Sequence, residues 1–236
     1  MSIDATRRRL LVAGAGLAAS AALLPRAARA EGEQLLVDEA RITVERFTAE
    51  ADMQPMRNML SRAQAAFIFP QLLKGGFIIG GEGGSGVLVA RNQQTGDWGA
   101  PAFYALFAAS IGFQAGGEVS QAMLLVMTAK GLDAVFRNEF KLGADVSATV
   151  GPVGRGIEAA ATTNLRDDMY TFAMSKGLFG GVSLEGAIIN ARYSRNMSYY
   201  GSEVAPRDIV LGNSVVRAGG AQALQAALRA AAVNRT

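Results

Sequence analysis

The sequence predicts a single α+β domain: a Gly-rich antiparallel or barrel-like β-sheet with N-terminal and C-terminal helices packed on it. Three observations lead there. Half of the 236 residues are hydrophobic and 18% are charged, enough apolar material for one sizeable core and too much for a disordered chain. Apolar residues recur at steps of three to four near both ends of the chain, as helices require. Between them lie short apolar runs broken by glycine, 28 in all, at a spacing that suits a meander rather than alternating βαβ units.

Residues 1–30 read as a cleavable, twin-arginine-type export signal. Arg7, Arg8 and Arg9 precede a charge-free run from Leu10 to Leu24, and Ala28-Arg29-Ala30 supplies an A-x-A cleavage site. That run is too short for a membrane span, which needs about 20 residues. The expected location is therefore periplasmic or exported, after cleavage near Ala30. Removing the segment leaves 18 basic against 19 acidic residues in 31–236, so the overall pI of 9.4 is no argument for nucleic-acid binding.

Residues 34–66 are predicted helical. Leu36, Ala40, Val44, Phe47 and Ala51 mark one face and Glu39, Glu45, Arg46 and Glu50 the other. A second stretch follows with Met53, Met56, Leu60 and Ala63, with Asp52 as its cap and Pro55 in its first turn. Strands are expected at 77–79, 87–90, 103–107, 111–113, 123–127, 146–150, 169–173, 182–189 and 209–211. Helices are expected at 131–140 and 219–233. Trp98 and Tyr104 are expected in the core or at a sheet edge.

The chain has no histidine and no cysteine. This excludes Ser-His-Asp and Cys-His nucleophiles, His/Cys zinc sites, disulfides and Cys-ligated clusters. Gly81-Glu82-Gly83-Gly84-Ser85-Gly86 matches G-x-G-x-x-G. The β-like Val87–Ala90 follows where a dinucleotide site needs a helix, so the glycines read as close backbone packing within a sheet. Asp167-Asp168 reads as a solvated turn. Glu82, Glu118 and Glu185 stand in apolar, Gly-rich surroundings; a hydrolase reading requires two of them about 5–10 Å apart. Three of the four lysines, Lys74, Lys130 and Lys176, precede glycine. Either they end helices or turns, or they and the loop cation Arg155 meet anionic lipid headgroups.

Five segments together resemble the SYLF domain family: FIFPQLLKGGFIIGGEGGSGVLVAR (67–91), GDWGAPAFYAL (96–106), GFQAGGEVSQAMLLVM (112–127), KGLDAVFRNEFKLGADVSATVGPVGRG (130–156) and SKGLFGGVSLEGAII (175–189). The resemblance implies non-enzymatic binding of phosphoinositides and other anionic membrane lipids, with actin binding in yeast members, and export in bacterial ones. No cofactor and no metal are expected. Lys74, in its Lys-Gly-Gly context, is the lipid contact that the resemblance transfers. The helical region 34–66 departs from a basic lipid-binding helix, with four arginines against five acidic residues. The expected partners are thus anionic envelope lipids, with peripheral membrane association. The alternative is an envelope protein-interaction module without a dedicated lipid site.

Overall fold

The computed structural model describes residues 24–76, 79–111, 116–153, 166–175, 178–180, 184–212 and 220–233. It is an α+β domain built on one sheet. Helix α1 (Leu24–Ala49) leads through a 3-10 turn (Ala51–Met53) to α2 (Gln54–Leu60). Four long strands follow: β1 (Ala65–Gly76), β2 (Ile79–Ala90), β3 (Ala102–Ile111) and β4 (Gly116–Val126). Then come α3 (Ala129–Val135), β5 (Glu139–Lys141), β6 (Ala148–Val150), β7 (Met169–Ser175), β8 (Leu178–Gly180) and β9 (Ile188–Ala191). Helices α4 (Tyr193–Tyr200), α5 (Pro206–Leu211) and α6 (Gln222–Ala232) complete the order.

The sheet runs β5-β9-β3-β2-β1-β4-β7-β6, with β8 paired to β7. Every pairing is antiparallel except β6 with β7. On a flat sheet β5 and β1 would stand about 19 Å apart, four strand spacings. The rings of Phe140 on β5 and Phe67 on β1 have centroids only 6.0 Å apart, so the sheet curls with these rings inside. Phe67 also meets Tyr104 edge-on at 5.1 Å, and the Tyr104 hydroxyl donates to the Val135 carbonyl at 2.8 Å. The inner core continues through Leu88, Leu106, Leu124, Leu142 and Ile189.

The outer face is covered by helices. Leu36, Ala40, Val44 and Phe47 of α1, Met56 and Leu60 of α2, and Leu224 and Leu228 of α6 pack on Ile68, Val87, Val89, Met123 and Leu125. Arg57 fixes the α1–α2 corner. Its Nη1 donates to the carbonyls of Thr48 and Glu50 at 2.8 and 2.7 Å, satisfying groups that the end of α1 leaves open. Gln34 of α1 accepts from the Tyr199 hydroxyl at 2.9 Å and donates to the Gly220 carbonyl at 3.3 Å, so α1 is held to α4 and to the approach of α6.

The structure corrects several expectations. The helical region stops at Leu60, and residues 65–66 already belong to β1. Asp52 sits in the 3-10 turn; Met53 precedes α2 and no side chain caps it, while Pro55 does occupy the first turn. Ala51 is exposed. The helix expected over 131–140 ends at Val135, and residues 139–141 are β5. The run 209–211 is helical, not a strand: Pro206 opens α5 and Asp208 stands in its first turn. Of the strand expected at 77–79, residues 77 and 78 lie outside the described residues and Ile79 opens β2. Residues 112 and 113 also lie outside them, as do 182 and 183; of the rest of 182–189, residues 184–187 form a turn and Ile188 and Ile189 are strand, the start of β9. Helix α1 runs through the expected cleavage point at Ala30, and residues 1–23 of the expected signal lie outside the described residues.

Candidate functional site

A β-bulge divides the sheet into two unlike ends. Between Ile68 and Leu73 strand β1 carries one residue more than β2, and between Phe69 and Leu72 one more than β4. Pro70 and Gln71 occupy the bulge, where a residue without an N–H is tolerated. The extra residue reverses the side-chain alternation. Before the bulge Phe67 and Phe69 point inward; after it Leu72 and Lys74 do, and Leu73 points outward. The bulge also crowds β2. A Cβ on Gly84 would run into the Gln71 carbonyl, and one on Gly86 into the Ile68 carbonyl and the Phe69 ring. The G-x-G-x-x-G segment is therefore strand β2 itself, with Gly84 and Gly86 set by a close backbone approach.

Beyond the bulge the inner face carries a charged row. Lys74 pairs in register with Glu82 of β2 on one side and Glu118 of β4 on the other. Glu82 is buried and accepts a long hydrogen bond, 3.4 Å, from the Ser120 hydroxyl. Burial raises the Glu82 pKa from its ordinary value and the Glu118 charge adds to the rise, while Lys74 and Ser120 oppose it. Two carboxylates do converge here, two strand spacings or about 10 Å apart by backbone. Lys74 stands between them in register, so a cation separates the two carboxylates along the row. Glu185 is not part of the row: it is in the turn before β9, its Cγ beside Gly143.

The outer face of the same end carries an apolar row one residue away. Phe107 of β3, Gly83 of β2, Leu73 of β1 and Val119 of β4 are cross-strand neighbours in that order. The Phe107 ring lies over Gly83, 3.1 Å from where a Cβ would stand. The helices that seal the rest of this face do not cover it: Phe107 is 52%, Leu73 56% and Val119 42% exposed. Leu35 and Ile42, on the flank of α1, are 59% and 39% exposed. Two shallow grooves join them to the row. One, about 270 Å³, runs from Leu35 and Glu39 to Leu73, Gly83 and Arg195. The other, about 690 Å³, lies between Glu39, Ile42, Arg46 and Glu50 on one wall and Pro70, Gln71, Val119, Gln121 and Met174 on the other. The Gln121 amide donates to the Thr43 hydroxyl at 3.2 Å and anchors α1 to β4 at the second groove.

The four cations singled out in the sequence do not form one site. Lys74 lies in the charged row. Lys130, in the first turn of α3, is at the other end of β4, about 26 Å away along that strand. Its ammonium is 3.0 Å from Asp168. Arg155 and Lys176 lie outside the described residues. Asp168 is buried rather than solvated. It accepts from the Thr128 hydroxyl at 2.6 Å, from Lys130, and from the backbone N–H and hydroxyl of Ser147 at 3.2 and 3.1 Å. Burial pushes its pKa up, but these donors together outweigh burial and hold it at about 2. This cluster joins α3, β6 and β7 and is structural. Trp98 and Tyr104 are buried, as expected.

Reasoning from sequence missed the apolar row. Leu73, Phe107 and Val119 look like ordinary strand hydrophobics, and their exposure depends on where α1 ends its cover. The one local signal is Pro70 inside an apolar run, which marks the bulge that turns Leu73 outward.

Comparison with known proteins places the chain. A family model, Ysc84, described as Las17-binding protein actin regulator, matches residues 107–231, more than half of the chain. The human SH3 domain-containing YSC84-like protein 1 is 30% identical over 158 residues, covering 66% of this chain and 46% of the relative. From Saccharomyces cerevisiae, LAS seventeen-binding protein 3 is 35% identical over 167 residues, covering 69% of this chain and 36% of the relative. Protein YSC84 of the same yeast is 35% identical over 159 residues, covering 65% and 33%. The chain spans less than half the length of these curated relatives. It belongs to the Ysc84, or SYLF, family, whose members are described as binding and regulatory proteins.

Proposed function

We propose that the chain adheres to phospholipid membrane surfaces, without catalysing a reaction, through the open end of its sheet. One observation carries this reading: three exposed apolar side chains from adjacent strands, Phe107, Leu73 and Val119, lie in one row beside Leu35 and Ile42 of α1. Singly exposed apolar residues are ordinary, but a contiguous set rimmed by charge marks an interaction surface. Among the described residues no helix is long and apolar enough to cross a membrane.

Magnitudes decide which force dominates. Full burial of a large apolar side chain contributes about 1.5–3 kcal/mol, so removing the exposed halves of five contributes roughly 4–7 kcal/mol before the cost of association. A cation near an anionic surface contributes about 1 kcal/mol. Among the described residues Arg46, Lys74 and Arg195 are cations at this end, and Glu39, Glu50, Glu82 and Glu118 stand beside them. Apolar contact therefore outweighs charge, and binding to the anionic lipids that the family resemblance implies depends only weakly on salt. Lys130, whose ammonium is held by Asp168, remains a candidate headgroup contact away from the row, and Arg155 and Lys176, outside the described residues, remain candidates as well. With the N-terminal segment read as an export signal, the membrane is that of a bacterial envelope, met from the periplasm. Phosphatidylglycerol and cardiolipin are its anionic lipids.

The second reading is a protein-interaction module. The family description and the yeast relatives' names cite Las17 binding and actin regulation, and the same row offers a protein dock. Co-sedimentation of the purified chain with phosphatidylcholine vesicles, with and without phosphatidylglycerol, separates the two. Adhesion predicts binding to both kinds of vesicle at low and at physiological salt. Binding to neither, together with stoichiometric recovery of an envelope protein that depends on Leu73, would replace adhesion with the second reading.

A further inference from the structure

The larger groove has a charge pattern that adhesion alone does not use. Leu35, Glu39, Ile42 and Arg46 follow one another along a single flank of α1 at steps of four, three and four, and Glu50 stands just past the helix end. This flank alternates apolar and charged groups. Ile42 faces Val119 and Met174 across the groove, while Glu39, Arg46 and Glu50 line its mouth. The helical rise puts Arg46 about 6 Å along the axis from Glu50 and about 10 Å from Glu39. Among the described residues none of these three side chains is in an ion pair; the ion pair on α1 joins Arg41 to Glu45 at 2.6 Å.

The groove thus offers one guanidinium and two carboxylates on the helix wall, with Ile42, Val119 and Met174 as its apolar part and Gln71 and Gln121 also in its lining. A purely anionic headgroup meets one attractive and two repulsive charges there. A choline headgroup brings a cation but no N–H to donate. A primary ammonium two carbons from a phosphate oxygen satisfies both signs: guanidinium to phosphate, ammonium to carboxylate. We propose that this groove recognises the headgroup of an amine-bearing zwitterionic phospholipid, phosphatidylethanolamine in chemical type. Arg46 donates to its phosphate, Glu50 or Glu39 accepts from its ammonium, and an acyl chain lies over Ile42, Val119 and Met174. This rests on the adhesion reading above and adds a lipid preference to it. The source of selectivity is the repulsion of net-negative headgroups as much as the fit of the amine.

The test uses the full chain and vesicles of phosphatidylcholine alone or mixed with phosphatidylethanolamine. The expected result is a gain in bound fraction of about threefold with phosphatidylethanolamine, the scale of an exposed charge pair. The Glu39→Gln/Glu50→Gln double variant should respond to the two vesicles alike. Equal binding of the unaltered chain to both vesicles overturns the lipid preference and leaves adhesion standing. A gain that persists in the double variant also overturns it, because looser bilayer packing then explains the effect. Binding to no vesicle overturns both readings.

Discussion

The two ends of β1 belong to one strand and have opposite roles. From Ala65 to Phe69 both faces are buried, Phe67 and Phe69 inside the curl and Ala66 and Ile68 under the helices. From Leu72 to Gly76 the inner face is charged and the outer face is open. A buried carboxylate marks each end. Asp168, at the closed end, has four hydrogen-bond donors and a pKa of about 2. Glu82, at the open end, has one long hydrogen bond from a side chain, and burial raises its pKa. At the closed end the buried carboxylate is fully partnered. The open end leaves groups under-satisfied and apolar side chains in water, as a binding surface must.

Substitutions should separate the ends by size of effect. Phe67→Ala removes the ring at the centre of the inner aromatic cluster and should cost about 3–5 kcal/mol of unfolding free energy by urea titration. Leu73→Ala, six residues on, should change stability by less than about 0.5 kcal/mol, because its side chain is mostly in water. A comparable loss for Leu73→Ala would mean that the open end belongs to the core. Gly86→Ala tests the bulge between the ends. Its methyl group meets the Ile68 carbonyl and the Phe69 ring, and a loss of about 1–3 kcal/mol is expected. Unchanged stability would mean that the strands can move apart there.

The carboxylates should respond to acid with opposite signs. The Asp168 pKa is depressed, so its contribution is full above its ordinary value of 3.8 and fades as the pH falls through about 2. About 2 kcal/mol should disappear over that window, and Asp168→Asn should flatten the stability profile there. The Glu82 pKa is raised, so its contribution is greatest below the ordinary value of 4.5 and is lost as the pH rises through the folded-state value. Glu82→Gln should therefore leave stability at neutral pH unchanged or raised by less than about 1 kcal/mol. A clear loss would mean that the pairing of Glu82 with Lys74 contributes more than burial costs.

These contrasts explain what could be read from the sequence. Helices α1, α2 and α6 were legible because their buried faces repeat at 3.6 residues: Leu36, Ala40, Val44 and Phe47, then Met53, Met56 and Leu60, then Leu224 and Leu228. The central strand β1 was not legible, because Pro70 and the bulge break the period of two that identifies a strand. Ile209–Leu211 looked like a strand because a three-residue aliphatic run is too short to show either period. Helix α4 buries Asn196, which accepts from the Phe103 N–H at 2.8 Å, a contact set by tertiary structure alone. Of the site, Lys74 was visible within a motif. The row beside it was not, since exposure at Leu73, Phe107 and Val119 depends on a helix distant in sequence. The charge pattern of α1 was legible as a balance of signs, but not as a groove.

The claim on which the account turns is that the apolar row leaves water when the chain binds. A tryptophan placed in that row reports it. Trp98 is buried, and its indole N–H has no hydrogen-bond partner among the described residues, so Trp98→Phe provides a background without signal. In that background Phe107→Trp should show emission typical of a largely exposed indole in buffer. On addition of phosphatidylcholine–phosphatidylglycerol vesicles the emission should shift to the blue and become protected from aqueous quenchers. Vesicle binding with the emission unmoved would contradict the account, because the surface that meets the membrane would then lie elsewhere on the molecule.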